Sequence, residues 1–151
     1  MRHTSLILVL FAGLGTPFSI AQDGPGIVDC IMQRKLVVPY ARGRVFDPFG
    51  VPVPGAQISL SRDGLQQAQS RTDADGRFEV SVPPGGYHFK AEMRGFEVTK
   101  AELEVGRDIA NTLHPKALRV ILALGSMNCP WVTTSRKEFK EMVHKRTALH
   151  R

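Results

Sequence analysis

The chain has 151 residues, enough for one domain and a short appendage, which excludes a multidomain enzyme. With 42% hydrophobic and 23% charged residues the composition is that of a folded protein, and 14 Gly with 10 Pro favour a turn-rich, all-β architecture. The net charge of +6 invites a nucleic-acid reading, yet 8 Phe, 2 Tyr and 1 Trp make a base-stacking platform hard to assemble.

Arg2 followed by the apolar run Leu6 to Leu14 reads as the start and middle of a secretory signal. Ser19 and Ala21 supply small residues at the two positions a signal peptidase tests, so residues 1–21 are expected to be removed and the mature chain to begin at Gln22. The apolar run is shorter than the roughly 20 residues a membrane-crossing helix needs. Localisation is therefore expected to be secreted or periplasmic. That compartment permits a disulfide between the two cysteines, Cys30 and Cys129. A loop of about 100 residues closed this way contributes on the order of 4–5 kcal/mol by the loop-entropy argument. Metal binding by the pair is not expected, because two thiols without a neighbouring His or a Cys-x-x-Cys spacing do not complete a tetrahedral site.

Residues 22–39 form an N-terminal segment in which Leu36-Val37-Val38 suggests a short strand before Pro39. From residue 40 to 125 short runs of period-two alternation are separated by turn residues, the signature of a sandwich or barrel. Seven strands are expected. The first, Ala41 to Phe46, ends in the turn Asp47-Pro48-Phe49-Gly50. Pro52 and Pro54 cannot donate to a ladder, so an irregular lead precedes the second run, where Ala56, Ile58 and Leu60 alternate with polar residues. Asp63-Gly64 marks a hairpin, and the polar stretch Gln66 to Thr72 reads as an exposed edge strand. Phe78, Val80 and Val82 form the next core face, followed by Tyr87, Phe89 and Ala91, the two separated by Pro83-Pro84-Gly85-Gly86. Phe96 and Val98 are then out of phase with Ala101, Leu103 and Val105, which predicts a bulge or bend near Thr99. Leu118, Val120, Leu122 and Leu124 mark the last apolar strand.

Residues 126–151 form a basic tail. From Pro130 onward six bases face two acids, a surplus of +4, while residues 22–129 carry only +1, so the high pI of about 9.7 belongs mostly to the tail and the domain itself loses its nucleic-acid argument. Ser135 and Glu138 have capping-box spacing, and Phe139, Met142, Val143 and Leu149 recur near helical spacing, which predicts an amphipathic helix of three to four turns. Arg136, Lys137, Lys140, Lys145 and Arg146 are its candidate partner-binding residues, suited to an acidic partner or to peripheral contact with an anionic membrane surface.

Several motifs along residues 40–124 together resemble the carboxypeptidase regulatory-like domain: Gly43-Arg44-Val45-Phe46-Asp47, Val53-Pro54-Gly55-Ala56, Thr72-Asp73-Ala74-Asp75-Gly76-Arg77-Phe78, Pro83-Pro84-Gly85-Gly86-Tyr87 and Gly95-Phe96. The resemblance implies a transthyretin-like (prealbumin-like), seven-stranded Greek-key β-sandwich that is not catalytic, and it says nothing of ligand. It covers neither the N-terminal segment nor the tail.

No chemistry is apparent in the motifs. Asp73-x-Asp75-Gly76 resembles the start of a calcium loop, but the twelfth position is Pro84 where an EF-hand needs Glu. Hydroxyisourate hydrolases, relatives of this fold, end in Tyr-Arg-Gly-Ser, whereas this chain ends Ala148-Leu149-His150-Arg151. Intradiol dioxygenases bind iron through two Tyr and two His; Tyr40, Tyr87, His88, His114, His144 and His150 show no such grouping here, and Tyr87 and His88 should point to opposite faces of a strand. There is no Gly-x-Ser-x-Gly elbow. No catalytic, metal or cofactor residue is assigned. The expected function is a non-enzymatic exported module that recognises a protein, peptide or glycan of the cell envelope through edge strands and loops, with Trp131, Phe49 and Tyr40 the only aromatics suited to a sugar. Two alternatives stand beside it: a small exported hydrolase, which a cleft gathering ionisable groups with His88 or His114 would favour, and a structural subunit of an envelope assembly.

Overall fold

The computed structural model describes residues 35–106, 116–125 and 129–148. Nine strands and one helix lie within them: β1 (Lys35–Val38), β2 (Ala41–Phe46), β3 (Gln57–Arg62), β4 (Leu65–Arg71), β5 (Arg77–Val80), β6 (Gly85–Glu92), β7 (Thr99–Val105), β8 (Leu118–Ile121), β9 (Trp131–Thr133) and α1 (Arg136–Ala148). They form two sheets, one of five strands in the order β1-β7-β6-β3-β4 and one of four in the order β5-β2-β8-β9. Two neighbouring pairs, β1 with β7 and β2 with β8, are parallel; the others are antiparallel. The expected signal segment, Cys30, residues 107–115 with Asn111 and His114, Leu149 and His150 lie outside the described residues.

The core sits between the sheets and is built from the alternate residues that the period-two pattern marks: Ile58 and Leu60 from β3, Phe78 and Val80 from β5, Tyr87, Phe89 and Ala91 from β6, and Ala101, Leu103 and Val105 from β7. Phe78 and Phe89 meet across it with ring centroids 5.9 Å apart.

The expected count of seven strands is corrected to nine. Leu36 and Val38 place β1 against β7, completing one edge of the larger sheet, and β9, which the sequence reading treated as the root of the tail, continues the smaller sheet beside β8. Three residues leave β9 too short to show a period. Two further expectations change in detail. The phase slip falls in residues 93–98, where Phe96 closes a turn onto the Met93 carbonyl (3.0 Å) and Glu97 makes an isolated bridge to Ala123, so β7 begins in register at Thr99. The last apolar strand ends at Ile121; Leu122 and Ala123 are still buried but Leu124 is exposed, because the chain has left the ladder.

The turns show why the polar motif residues stand where they do. Asp47 Oδ1 accepts the amides of Phe49 (2.9 Å) and Val51 (2.8 Å), and Asp73 Oδ1 accepts those of Asp75 (2.9 Å) and Arg77 (2.8 Å). Both are aspartate turns that mimic a backbone hydrogen bond. Asp63 (φ 51°) and Gly64 (φ 76°) are both left-handed, as the two-residue β3–β4 hairpin requires. The buried Thr72 hydroxyl takes the amide of Ala56 (2.8 Å) and donates to the Val53 carbonyl (2.8 Å), tying the irregular 52–55 lead to the strand it could not join through its prolines.

Helix α1 starts as the capping spacing predicts, with one difference. Ser135 Oγ accepts the Glu138 amide (3.2 Å), but the Glu138 carboxylate accepts from Thr133 Oγ1 (2.6 Å), which in turn accepts the Ser135 amide (3.0 Å). The reciprocal half of the capping box is thus relayed through a buried threonine of β9, so the helix start is anchored to the sheet as well as capped.

Candidate binding face and the basic helix

Strands β3, β6 and β7 are neighbours in the larger sheet, and their register sets their outward residues in rows. Ser61 stands opposite His88 and His88 opposite Glu102; one row along, Ser59 stands opposite Lys90 and Lys90 opposite Lys100. Serines on β3 between longer side chains leave a groove of about 490 Å³ on the outer face, lined by Ser59, Ser61, His88, Lys90, Lys100 and Glu102. Ser59 is buried at its floor, although the alternation places it on the wet side. Directly opposed lysines cost stability. Lys90 is drawn to Glu92 (2.9 Å), and Lys35 of β1 to Glu104 (3.1 Å). Ser61, His88 and Glu102 are not hydrogen-bonded to one another.

At the end of the same sheet, β4 pairs with β3 on one side, and six of its seven residues, Leu65 to Ser70, are uncharged. It lacks proline and inward charges, two usual protections of an edge, while its pairing with β3 shifts register between Leu60 and Ser61. Near the hairpin, Arg62 stacks over the buried Tyr87 ring (4.3 Å to its centroid) and donates to the Gly86 carbonyl (3.1 Å), while Tyr87 donates its hydroxyl proton to the Pro83 carbonyl (2.7 Å). The cation and the phenol are therefore engaged in shaping the 83–86 bend.

The basic tail divides into two faces. Phe139 packs on Phe46 with ring centroids 4.6 Å apart, and Val143 lies against Gly50, so the apolar stripe holds α1 to the β2 end of the sandwich. Arg136, Lys137, Lys140 and Lys145 are exposed, with Lys137 3.9 Å from Glu141. Arg146 corrects the sequence reading: it is 5% exposed and its Nη2 donates to the Cys129 carbonyl, so it belongs to the contact between helix and sandwich and cannot serve as a surface cation. Burial lowers its pKa from the ordinary arginine value. Arg119 of β8, lowered by burial and then by the nearby charge of Arg136, donates to the Thr134 carbonyl (3.3 Å) just before the helix.

The remaining candidates are dispersed. Tyr87 is buried and His88 exposed, on opposite faces of β6. Tyr40 lines a separate cleft with Glu79, Pro84 and Val105, Phe49 is exposed in the 47–50 turn, and Trp131 is half-buried on β9, so the aromatics do not assemble a sugar platform. Cys129 is not a free thiol; Cys30 lies outside the described residues. Asp75 pairs with Arg77 (3.5 Å) and its carbonyl receives Nε and Nη2 of Arg44, which with the Asp73 turn gives the carboxylate motif a structural use. Sequence reading missed the groove: alternation marks Ser61, His88, Lys100 and Glu102 as outward, but only strand order makes them neighbours.

Two packed sheets with motif side chains held in their turns define a β-sandwich domain. The chain belongs to the carboxypeptidase regulatory-like domain family, whose sequence pattern matches residues 41–116. No curated protein matches it. Among solved structures it is similar to a 5-hydroxyisourate hydrolase from Klebsiella pneumoniae, with 22% identity, a TM-score of 0.47, and coverage of 66% of this chain and 97% of that one. A 3-chlorocatechol 1,2-dioxygenase from Rhodococcus opacus 1CP is similar over 58% of this chain and 62% of its own, with 17% identity and a TM-score of 0.35. Neither likeness bears on activity.

Proposed function

We propose that this protein is an exported, non-catalytic binding module that recognises an extended peptide of the cell envelope with the outer face of its larger sheet. The observation that carries this reading is the groove over Ser59 and Ser61, which lies beside the open edge of β4 in one continuous sheet. A strand added at that edge gains main-chain hydrogen bonds, and the groove, about 10 Å further in beyond β4, receives a side chain from the peptide that flanks the added strand. Export rests on the charged start, apolar run and small-residue cleavage site within residues 1–21. The lack of an aromatic platform favours a peptide over a glycan.

The test is affinity purification of the exported protein from its own envelope fraction, comparing the native chain with Ser61→Trp, which fills the groove, and with the triple variant Lys137→Ala, Lys140→Ala, Lys145→Ala. Because β9 belongs to the sheet, charge removal probes the tail better than truncation. A partner retained by the triple variant and lost from Ser61→Trp, with both variants folded by circular dichroism, is the expected result. Loss from the triple variant alone would move recognition to the helix, and recovery of nothing from the native chain would count against a stable partner.

A second reading, a hydrolase, is favoured by one observation: the row Ser61, His88, Glu102 has the order nucleophile, base, orienting carboxylate within a groove of ionisable groups. It ranks second because these side chains are not joined and Ser61 lies in a strand paired on both sides, with Gln66 and His88, rather than on a turn that frees amides for an oxyanion. A serine-directed fluorophosphonate probe decides: labelling of Ser61 that disappears in His88→Ala would establish the hydrolase, and no labelling would remove it.

A further inference from the structure

The smaller sheet carries a line of arginines on its outer face. Val45, Phe78, Leu118 and Val120 are core residues, so their strand neighbours Arg44 of β2, Arg77 of β5 and Arg119 of β8 point away from the core. Register sets Arg44 directly opposite Arg77 on one side and directly opposite Arg119 on the other. Neighbouring strands lie about 4.8 Å apart, and like charges opposed at that spacing cost stability. Arg136, the first residue of α1, adds a fourth base: burial first, and then its charge, hold the Arg119 pKa below the ordinary arginine value.

Two of these guanidiniums are fixed in place without being neutralised. Arg44 donates from Nε (3.0 Å) and Nη2 (2.8 Å) to the Asp75 carbonyl, and Arg119 donates from Nη1 to the carbonyls of Thr134 (3.3 Å) and Ala117 (3.4 Å). A carbonyl orients a guanidinium but leaves its charge intact. The nearby acids are engaged elsewhere, Asp75 with Arg77 (3.5 Å) and Glu138 with the Thr133 hydroxyl (2.6 Å). Among the described residues no carboxylate lies within ion-pair distance of Arg44, Arg119 or Arg136. Nη1 of Arg44, and Nε and Nη2 of Arg119, lie outside the carbonyl bonds, so each fork keeps donors for a further acceptor.

An oxyanion between the two forks fills those donors and removes the repulsion together. A carboxylate has two oxygens, which one arginine fork satisfies; a phosphate ester offers an oxygen to each of two opposed forks and carries more charge. We propose that the outer face of the smaller sheet is a binding site for a phosphate ester, gripped between Arg44 and Arg119 with Arg77 and Arg136 on either side. The site is independent of the peptide reading, because the outer faces of the two sheets point away from each other. Such esters reach a protein as lipid headgroups or as soluble phosphorylated compounds, and both sources present the same oxygens.

The test uses the full chain. Calorimetric titration with inorganic phosphate in a chloride buffer should show one saturable site, weakened about tenfold or more by Arg44→Gln, the loss expected when a charge-assisted bond is removed. Arg94→Gln, at an exposed position in the turn after β6, should leave it unchanged. Arg44→Lys keeps the charge but loses the fork, and should bind about threefold or more weakly than the native chain. In chloride alone Arg44→Gln should melt within about 3 °C of the native protein, because repulsion is lost along with the bond to Asp75. A merely structural arginine gives the opposite pattern, a lowered melting temperature with phosphate binding unchanged. Co-sedimentation with vesicles of phosphatidylglycerol and phosphatidylcholine in equal parts, against phosphatidylcholine alone, separates the sources: Arg44-dependent pelleting with the anionic vesicles assigns a lipid headgroup, and phosphate binding without pelleting assigns a soluble ester. Phosphate binding that is absent, that survives Arg44→Gln, or that is fully restored by Arg44→Lys would overturn the site.

Discussion

Replacing Gly43 by alanine lowers the melting temperature by on the order of 10 °C, the cost of overpacking a site that cannot yield. Gly43 lies in β2 between Phe78 of β5 and Leu118 of β8. A Cβ there would stand 2.3 Å from the Leu118 carbonyl oxygen and 2.7 Å from its Cβ. Those atoms belong to a parallel neighbour whose own side chain is fully buried, so relief requires parting two strands in the middle of the smaller sheet. The gain from a stiffer unfolded chain, about 0.4–1 kcal/mol for Gly to Ala, is too small to compensate. Gly106→Ala is the control: nothing lies within 4 Å of its added Cβ, and the melting temperature should stay within about 2 °C of the native value. Differential scanning calorimetry on the two variants reads the contrast directly, and equal melting temperatures would show that β2 and β8 can separate without loss.

Cys129→Ser in the oxidised protein is expected to cost about 2–5 kcal/mol, because the proposed bond to Cys30 closes a loop of nearly the whole domain. The loss is not confined to the unfolded state. Cys129 presents the carbonyl that receives Arg146, and two residues later Trp131 begins β9, so freeing this point loosens the helix root and the sheet edge together. Native protein treated with reductant should melt with the variant, and trypsin should cut both sooner within Arg136 to Lys145. A native protein whose melting point is indifferent to reductant would refute the bond.

Much of the sandwich was legible in the chain itself. Period-two alternation identified the core residues of β3, β5, β6 and β7, since a half-buried strand must show alternate faces to water and to the core. Turn residues were legible for a related reason: Asp47, Asp73 and the Asp63-Gly64 pair act within four residues of themselves, so their chemistry is local and reads directly from spacing. Helix α1 was legible at its start and along its apolar stripe. Strand β9 was not, because three residues contain less than two periods and it forms only by pairing with β8.

What only the tertiary structure decided is which distant residues share a surface. Ser61, His88 and Glu102 are separated by 27 and 14 positions, and nothing in their local sequence announces that β3, β6 and β7 lie side by side. Arg146 stands seven residues after Phe139, on the stripe of Phe139, Met142 and Val143, so helical spacing already turns it inward; what only the tertiary structure shows is that this stripe faces Phe46 and that Arg146 meets the Cys129 carbonyl. Local sequence determines which face of an element is apolar, because that depends on a residue's own strand or helix period. The company a polar residue keeps depends on strand order and helix rotation, and those are settled by how the whole set of apolar faces closes on one core.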